Sequence, residues 1–183
     1  MKRLLICCAA LICATTLFAQ KNLVSTHGHP GVRWEIVTTD FNESQYQLFS
    51  FEDKDGTFGY YLSLGPASAI PGTFIVFDQI RETCLYMGTT LDEVKENLQS
   101  LIEFFNYEAG TTREFPARIG VVNTLQTEQR PAVAVVQKRL FGKRLVFTQE
   151  NEKYSTQTYL RKGAVKSVLT NLKIFMKMHP NAQ

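Results

Sequence analysis

Cysteine is scarce in this sequence and unevenly placed. Three of its four cysteines lie within the first 13 residues. Cys84 is the only one beyond that segment, so no disulfide can form within the rest of the chain. Stability must therefore come from packing. The apolar, strand-like stretch around Cys84 indicates a buried and unreactive thiol.

Histidine is equally rare, and its placement offers little to catalysis. The three histidines are His27, His29 and His179. His27 and His29 have no further metal ligand beside them, and a Ser-His-Asp arrangement would have to recruit a histidine from near one of the termini. The sequence also lacks a nucleophile elbow, a zinc-protease motif, a C-x-x-C pair, a phosphate-binding loop and a dinucleotide fingerprint. It indicates no catalytic residue, no metal site and no cofactor.

Carboxylate chemistry is the one class of catalysis that stays open, because paired acids meet in space and not in sequence. Most acids of the first half fall in predicted turns or at strand edges, where acids usually contact water. The candidates are Asp40, Glu43, Glu52, Asp53, Asp55, Asp78 and Glu82. The segment 53–56, Asp-Lys-Asp-Gly, lacks the remainder of an EF-hand loop, so it predicts a hairpin turn and not a calcium site.

A long apolar run is also missing, although the chain opens on a short one. Lys2 and Arg3 precede an uncharged segment over 4–18, and polarity begins after Ala19. This tripartite pattern predicts a cleaved signal peptide at 1–19, because a membrane-spanning helix needs about 20 apolar residues. No later run is long enough to span a bilayer.

Export sets the expected surroundings of the protein. The predicted localisation is periplasmic or extracellular, which argues against nucleic acid as a partner. Lipidation at Cys8 or Cys13 is the disfavoured alternative, since the residue before a lipidated cysteine should be small. Cys7 and Ile12 occupy those two positions.

Beyond the signal, the pattern predicts a flexible leader at 20–30 and a single α+β domain at 31–183. Alternating apolar residues predict strands, and Thr90 with Glu93 forms a capping box before a helix whose apolar stripe continues to Phe105. The predicted strands cover 32–36, 46–51, 58–64, 74–77, 83–87, 118–123, 131–140, 144–149 and 154–160. A second amphipathic helix covers 165–176. The expected architecture is a mainly antiparallel sheet packed against these two helices.

The two helices suggest a repeat. Val165, Val168 and Leu172 repeat the spacing of the first helical stripe 74 residues later. Halves at 31–109 and 110–183 would then each consist of strands followed by a helix. Any two amphipathic helices share this spacing, so the sequence leaves both a duplication and a coincidence open.

Charge is divided between the two halves. Residues 20–109 contain five basic and thirteen acidic residues, a net charge of −8, whereas residues 110–183 contain thirteen and four, a net charge of +9. Either the halves neutralise one another or each presents its own charged surface.

The most concentrated positive charge lies in a predicted hairpin turn of the second half. We call this segment the basic tip; it consists of Lys138, Arg139, Phe141, Lys143 and Arg144. Such a cluster can bind an anionic glycan, a lipid headgroup or an acidic protein. It can also be a solvated turn whose charges prevent edge pairing.

These observations favour an exported, non-catalytic binding protein over an enzyme. Its expected partner is a protein or an anionic glycan, and the basic tip is the candidate binding site. Two alternatives stay open: a secreted hydrolase that uses paired carboxylates, and a structural envelope protein that associates with itself through its oppositely charged halves. The oligomeric state does not follow from the sequence.

The signal peptide gives the first testable prediction. We expect the exported protein to begin at Gln20, because the charged start, the uncharged segment and Ala19 together define a signal and its cleavage site. Intact-mass measurement of the exported protein checks this. A mass that retains Lys2 and Arg3, or one that includes a lipid on Cys13, would contradict it.

Overall fold

A computed structural model of the chain describes residues 34–38, 46–53, 55–66, 68–69, 81–121, 124–150 and 155–180. The predicted signal peptide, the leader and the predicted strand at 74–77 lie outside these residues. The strands are β1 Trp34–Thr38, β2 Gln47–Glu52, β3 Phe58–Pro66, β4 Ser68–Ala69, β5 Arg81–Gly88, β6 Thr112–Phe115, β7 Ala117–Val121, β8 Thr124–Gln129, β9 Ala132–Lys138, β10 Lys143–Glu150 and β11 Ser155–Arg161. The helices are α1 Leu91–Phe104 and α2 Lys162–Met178.

The architecture confirms the predicted α+β class. The strands form two antiparallel sheets, one in the order β1-β2-β3-β5-β7-β8 and one in the order β4-β11-β10-β9-β6. Apart from the two-residue β4, the last three strands before each helix are paired in succession. They are β2, β3 and β5 before α1, and β9, β10 and β11 before α2.

Three strands, β4, β6 and β8, were not predicted. Each lies at one end of its sheet, where one edge has no neighbour among the described residues. β4 has only two residues, and the sequences of β6 and β8, TREF and TLQTEQ, are polar and lack a clear apolar alternation. Polar and charged side chains protect an edge from pairing with another chain, and the same composition hides the strand from a periodicity argument.

One hydrophobic core is shared by both sheets and both helices. Fully buried side chains from β3, β10 and β11, such as Leu62, Phe147 and Leu160, belong to it. The apolar stripes predicted for the helices face this core. The buried positions of α1 are Leu91, Val94, Leu98, Leu101 and Phe104, and those of α2 are Val165, Val168, Leu169 and Leu172.

The start of α1 is fixed as its sequence predicts. Thr90 is the N-cap, and its hydroxyl accepts a hydrogen bond from the backbone N–H of Glu93 at 3.2 Å. The Glu93 carboxylate accepts in return from the backbone N–H of Thr89 at 2.6 Å. These hydrogen bonds, the one from the Thr89 backbone first, hold the pKa of Glu93 below its ordinary value.

Buried polar contacts join the two sheets. The Thr83 hydroxyl on β5 donates to Gln149 Oε1 on β10 at 2.8 Å, and the Thr158 hydroxyl on β11 donates to the carbonyl of Leu64 on β3 at 3.3 Å. Buried polar groups are tolerated when they are hydrogen-bonded. These two hydrogen bonds therefore hold one sheet in position relative to the other, and they pair the polar groups that are buried there.

The buried position of Cys84 is confirmed. Its side chain is 3% exposed and belongs to a second, smaller cluster with Phe49, Phe51 and Tyr61, against which Tyr86 packs.

Among the described residues, no helix is long and apolar enough to cross a membrane.

The core gives the second prediction. Leu98 is fully buried in the α1 stripe, so Leu98→Ala should lower the free energy of unfolding by about 2–5 kcal/mol. The matched control is Gln99→Ala, which changes the exposed neighbour on the same helix and should alter that free energy by less than about 0.5 kcal/mol. Urea unfolding followed by circular dichroism measures both. Equal effects would show that α1 does not pack as described.

Candidate functional site

The basic tip spans the turn of the β9–β10 hairpin and the strand ends beside it, since Lys138 ends β9 while Lys143 and Arg144 begin β10. The strand predicted over 131–140 ends earlier, at Lys138, and the backbone N–H of Arg139 donates to the carbonyl of Gly142 at 2.9 Å. Gly142 has φ of 84°, a conformation that glycine adopts without strain. Leu140 consequently belongs to the turn and not to the strand, and it is exposed together with Phe141.

A cleft of about 870 Å³ opens beside this turn. One wall is the hairpin, and the others are the residues that follow α1 and the residues that start α2. The lining residues are Phe105, Asn106, Arg139, Leu140, Phe141, Gly142, Lys143, Arg144, Arg161, Lys162 and Gly163. Four of the five predicted site residues line the cleft. Lys138 is at the end of β9 and does not.

The cleft is strongly positive, and we call it the basic cleft. Five of its lining residues are basic, and none of the described lining residues is acidic. The strand register adds like-charge neighbours, since Lys143 lies directly opposite Lys138, and Arg144 lies directly opposite Arg161. Like charges that face each other across antiparallel strands destabilise the sheet. An anion bound between them would relieve that repulsion.

Lys143 contributes to the fold as well as to the charge. Its Nζ donates to the backbone carbonyls of Asn106 at 3.2 Å and Tyr107 at 2.5 Å. These carbonyls follow the end of α1, which has no basic residue in its own last turn. A cation at this position interacts favourably with the negative end of the helix dipole.

Lys162 and Arg144 are held by neutral partners. Lys162 Nζ donates to Asn106 Oδ1 at 2.6 Å. Arg144 Nε donates to Gln137 Oε1 at 2.5 Å, and its guanidinium lies 4.0 Å from the centre of the Tyr159 ring. Neither contact neutralises a charge, because an amide and an aromatic ring carry none. Both side chains are thus positioned while their positive charge stays available.

Arg139 and Lys138 are exposed, and the structure gives their side chains no hydrogen bond or ion pair with any described residue. They add charge without a structural contact.

The start of α2 adds to the positive potential. Arg161 is the N-cap and makes no side-chain capping hydrogen bond, and the first turn contains no acidic residue. A Cβ on Gly163 would meet nothing within 4 Å, so the backbone here is open to approach. Helix α1, in contrast, has a threonine N-cap and two acidic residues in its first turn. Unsatisfied N–H groups at a helix start favour a negative charge nearby.

Three of the candidate carboxylates of the first half, Asp53, Asp55 and Glu82, have structural contacts. Asp53 forms an ion pair with Arg118 on β7. Asp55 accepts from the backbone N–H of Thr57 at 2.9 Å, and this hydrogen bond lowers its pKa. The turn that Asp53 and Asp55 form confirms the predicted hairpin, in which Gly56 has φ of 83°.

The other candidate acids lie in strands or outside the described residues. Glu82 is buried, and its Oε2 accepts from the Ser63 hydroxyl at 2.6 Å. Glu52 ends β2. Asp40, Glu43 and Asp78, like His27 and His29, lie outside the described residues. Within the described ranges, no group of three or more His, Cys, Asp or Glu side chains could hold a metal ion.

A second cleft, of about 520 Å³, is lined by side chains of both charges, including Arg118, Arg130 and Glu114. The Arg118 guanidinium lies 5.6 Å from the centre of the Tyr61 ring, and burial raises the pKa of Tyr61. Arg118 also forms the ion pair with Asp53, so the contacts given for its guanidinium hold parts of the fold together. This cleft lacks the single sign of charge that marks the first.

Comparison of the sequence with protein-family models, with curated proteins and with solved structures gave no significant match.

Sequence reasoning missed half of this cleft. Arg161 and Lys162 are separated from the basic tip by a whole strand, and Asn106 comes from the other half of the chain. One signal could have found the two basic residues. They fall between a predicted strand and a predicted helix, so pairing that strand with 144–149 would have placed them beside the tip.

The two facing lysines give the third prediction. Lys143→Ala should lower the free energy of unfolding by about 0.3–1 kcal/mol, because the carbonyls of Asn106 and Tyr107 after the end of α1 lose their cation. Lys138→Ala removes the same charge from the opposite strand position but no described contact, so it should cause no such loss. Urea unfolding at low and high salt measures both, and salt should shrink the effect of Lys143→Ala. An equal loss in both variants would argue against the capping role.

Proposed function

We propose that this protein is an exported, non-catalytic binding protein whose basic cleft holds an anionic group of its partner. One observation carries the proposal: five basic side chains and the start of α2 converge on one cleft, with no acid among the described lining residues. The ligand class is a carboxylate, sulfate or phosphate group, as presented by an anionic glycan or an acidic protein.

The described hydrogen bonds support binding over simple solvation. A solvated turn would need no partners, yet the ammonium of Lys162 and the guanidinium of Arg144 are each positioned by a neutral acceptor. Arg144 uses one of its five N–H donors in that bond, which leaves the others for a ligand. Donors that are already held in position lose less conformational entropy when a ligand binds, so binding is less costly.

The chemistry of these side chains supports binding over catalysis. Arginine and lysine stay protonated at neutral pH, so they supply fixed positive charge and no base. Three of the carboxylates that the hydrolase alternative could use, Asp53, Asp55 and Glu82, have structural contacts. Self-association through the acidic first half is the remaining alternative, and the same experiment tests it.

The fourth prediction concerns a soluble polyanion. Heparin should bind the exported protein at low salt, and the affinity should fall steeply with added salt, because the screening length shrinks from about 10 Å at 0.1 M to about 3 Å at 1 M. Changing Arg139 and Arg144 together to glutamine should weaken binding by about tenfold, since exposed ion pairs contribute ~0.2–1 kcal/mol each. Calorimetric titration measures the affinity.

The matched control changes Lys166 and Lys173 to glutamine. Both are exposed on α2 and neither lines the cleft, so this variant loses the same charge and should bind as the parent does. Equal weakening in the two variants would mean that binding reflects net charge alone. Sedimentation velocity on the parent distinguishes self-association: a complex that the arginine change dissolves, without heparin binding, would overturn the proposal in favour of that alternative.

A further inference from the structure

The apex of the basic tip is apolar. Leu140 and Phe141 are each 90% exposed, the two most exposed large hydrophobic side chains among the described residues. Single exposed apolar residues are common on protein surfaces. Two adjacent ones at the end of a hairpin are different, because the turn projects both away from the core.

The turn places these two side chains at its extremity. The hydrogen bond from Arg139 to Gly142 closes the turn so that only Leu140 and Phe141 lie between the bonded residues. Two basic residues, Lys138 and Arg139, directly precede this pair. Two more, Lys143 and Arg144, directly follow Gly142. The apex is therefore an apolar pair with cations on both sides.

An anionic bilayer surface matches this arrangement. Its outer layer presents negatively charged headgroups, and the acyl boundary beneath them accepts apolar side chains. Lysine and arginine near such a boundary extend their charged ends to the headgroups while their stems stay apolar. We propose that the protein docks on anionic lipid membranes by inserting Leu140 and Phe141 while the surrounding basic residues contact the headgroups.

This inference rests on the proposed function, since the lipid headgroup is the anionic group that the cleft would hold. A soluble anionic glycan satisfies the cations but offers no apolar phase for Leu140 and Phe141. An anionic bilayer satisfies both. The observations on the tip therefore favour a lipid surface over a glycan as the source of the anion.

The charge around the cleft favours one orientation on such a surface. Five residues that line the cleft are basic, and none of the described lining residues is acidic. A negative surface attracts this side of the molecule. The tip would consequently lead the approach to the membrane.

The fifth prediction is tested on the exported protein with two kinds of vesicle. One kind is phosphatidylcholine alone, and the other contains roughly 30 mol% phosphatidylglycerol to give a negative surface. The protein should sediment with the anionic vesicles and not with the neutral ones. In a Phe141→Trp variant, tryptophan emission should shift to the blue with anionic vesicles, measured against the parent, whose one tryptophan is Trp34.

Separate variants isolate the apolar pair. Changing Leu140 and Phe141 together to serine keeps every cation, so heparin binding should be unchanged while the affinity for anionic vesicles falls about tenfold or more. The control changes Ile174 and Met178 to serine, two exposed apolar residues near the other end of α2, and should bind vesicles as the parent does. Circular dichroism verifies that each variant is folded.

Each outcome separates the two proposals. Heparin binding without vesicle binding, or vesicle binding that survives the Leu140 and Phe141 change, would overturn the membrane inference and leave the anion-binding proposal standing. Loss of heparin binding in that same variant would also overturn it, because the apolar pair would then recognise a soluble partner. A parent that binds neither heparin nor vesicles would overturn the proposed function itself.

Discussion

The burial of two helical stripes against both sheets is the constraint on which this structure depends. No disulfide can join residues beyond position 84 to one another, because no cysteine follows Cys84. Apolar burial must therefore offset the conformational entropy that folding removes. The stripes of α1 and α2 belong to the same core as the inward side chains of both sheets, so neither helix can shift without disturbing the whole.

The cleft forms where this core ends. Leu145 and Leu160 face each other across β10 and β11 and are fully buried. One residue further along, the register pairs Arg144 with Arg161. The strands thus pass from apolar to charged positions at one end of the sheet, beside the residues that follow α1. The cleft is built on strand and helix ends whose buried parts are close by, which limits how far its side chains can move.

Most of the helices and strands could be predicted from the sequence, whereas the site could be predicted only in part. Apolar alternation located β2, β3, β10 and β11 within a few residues, and the Thr90 cap and the Leu98 stripe located α1. The edge strands β6 and β8 were not predicted because their polar sequences lack an apolar alternation. The turn at Gly142 revealed the basic tip, since its charges are adjacent in the chain. Arg161 and Asn106 escaped because tertiary packing alone brings them to the cleft.

The same order of paired strands and helix places two turns at corresponding positions. The turn after β2 and the turn after β9 each follow the first of the three paired strands that lead into a helix. The former carries Asp53 and Asp55, and the latter carries the basic tip. One arrangement of strands and helix therefore holds an acidic turn in one place and a basic turn in the other, because loops vary more freely in sequence than the elements that they connect.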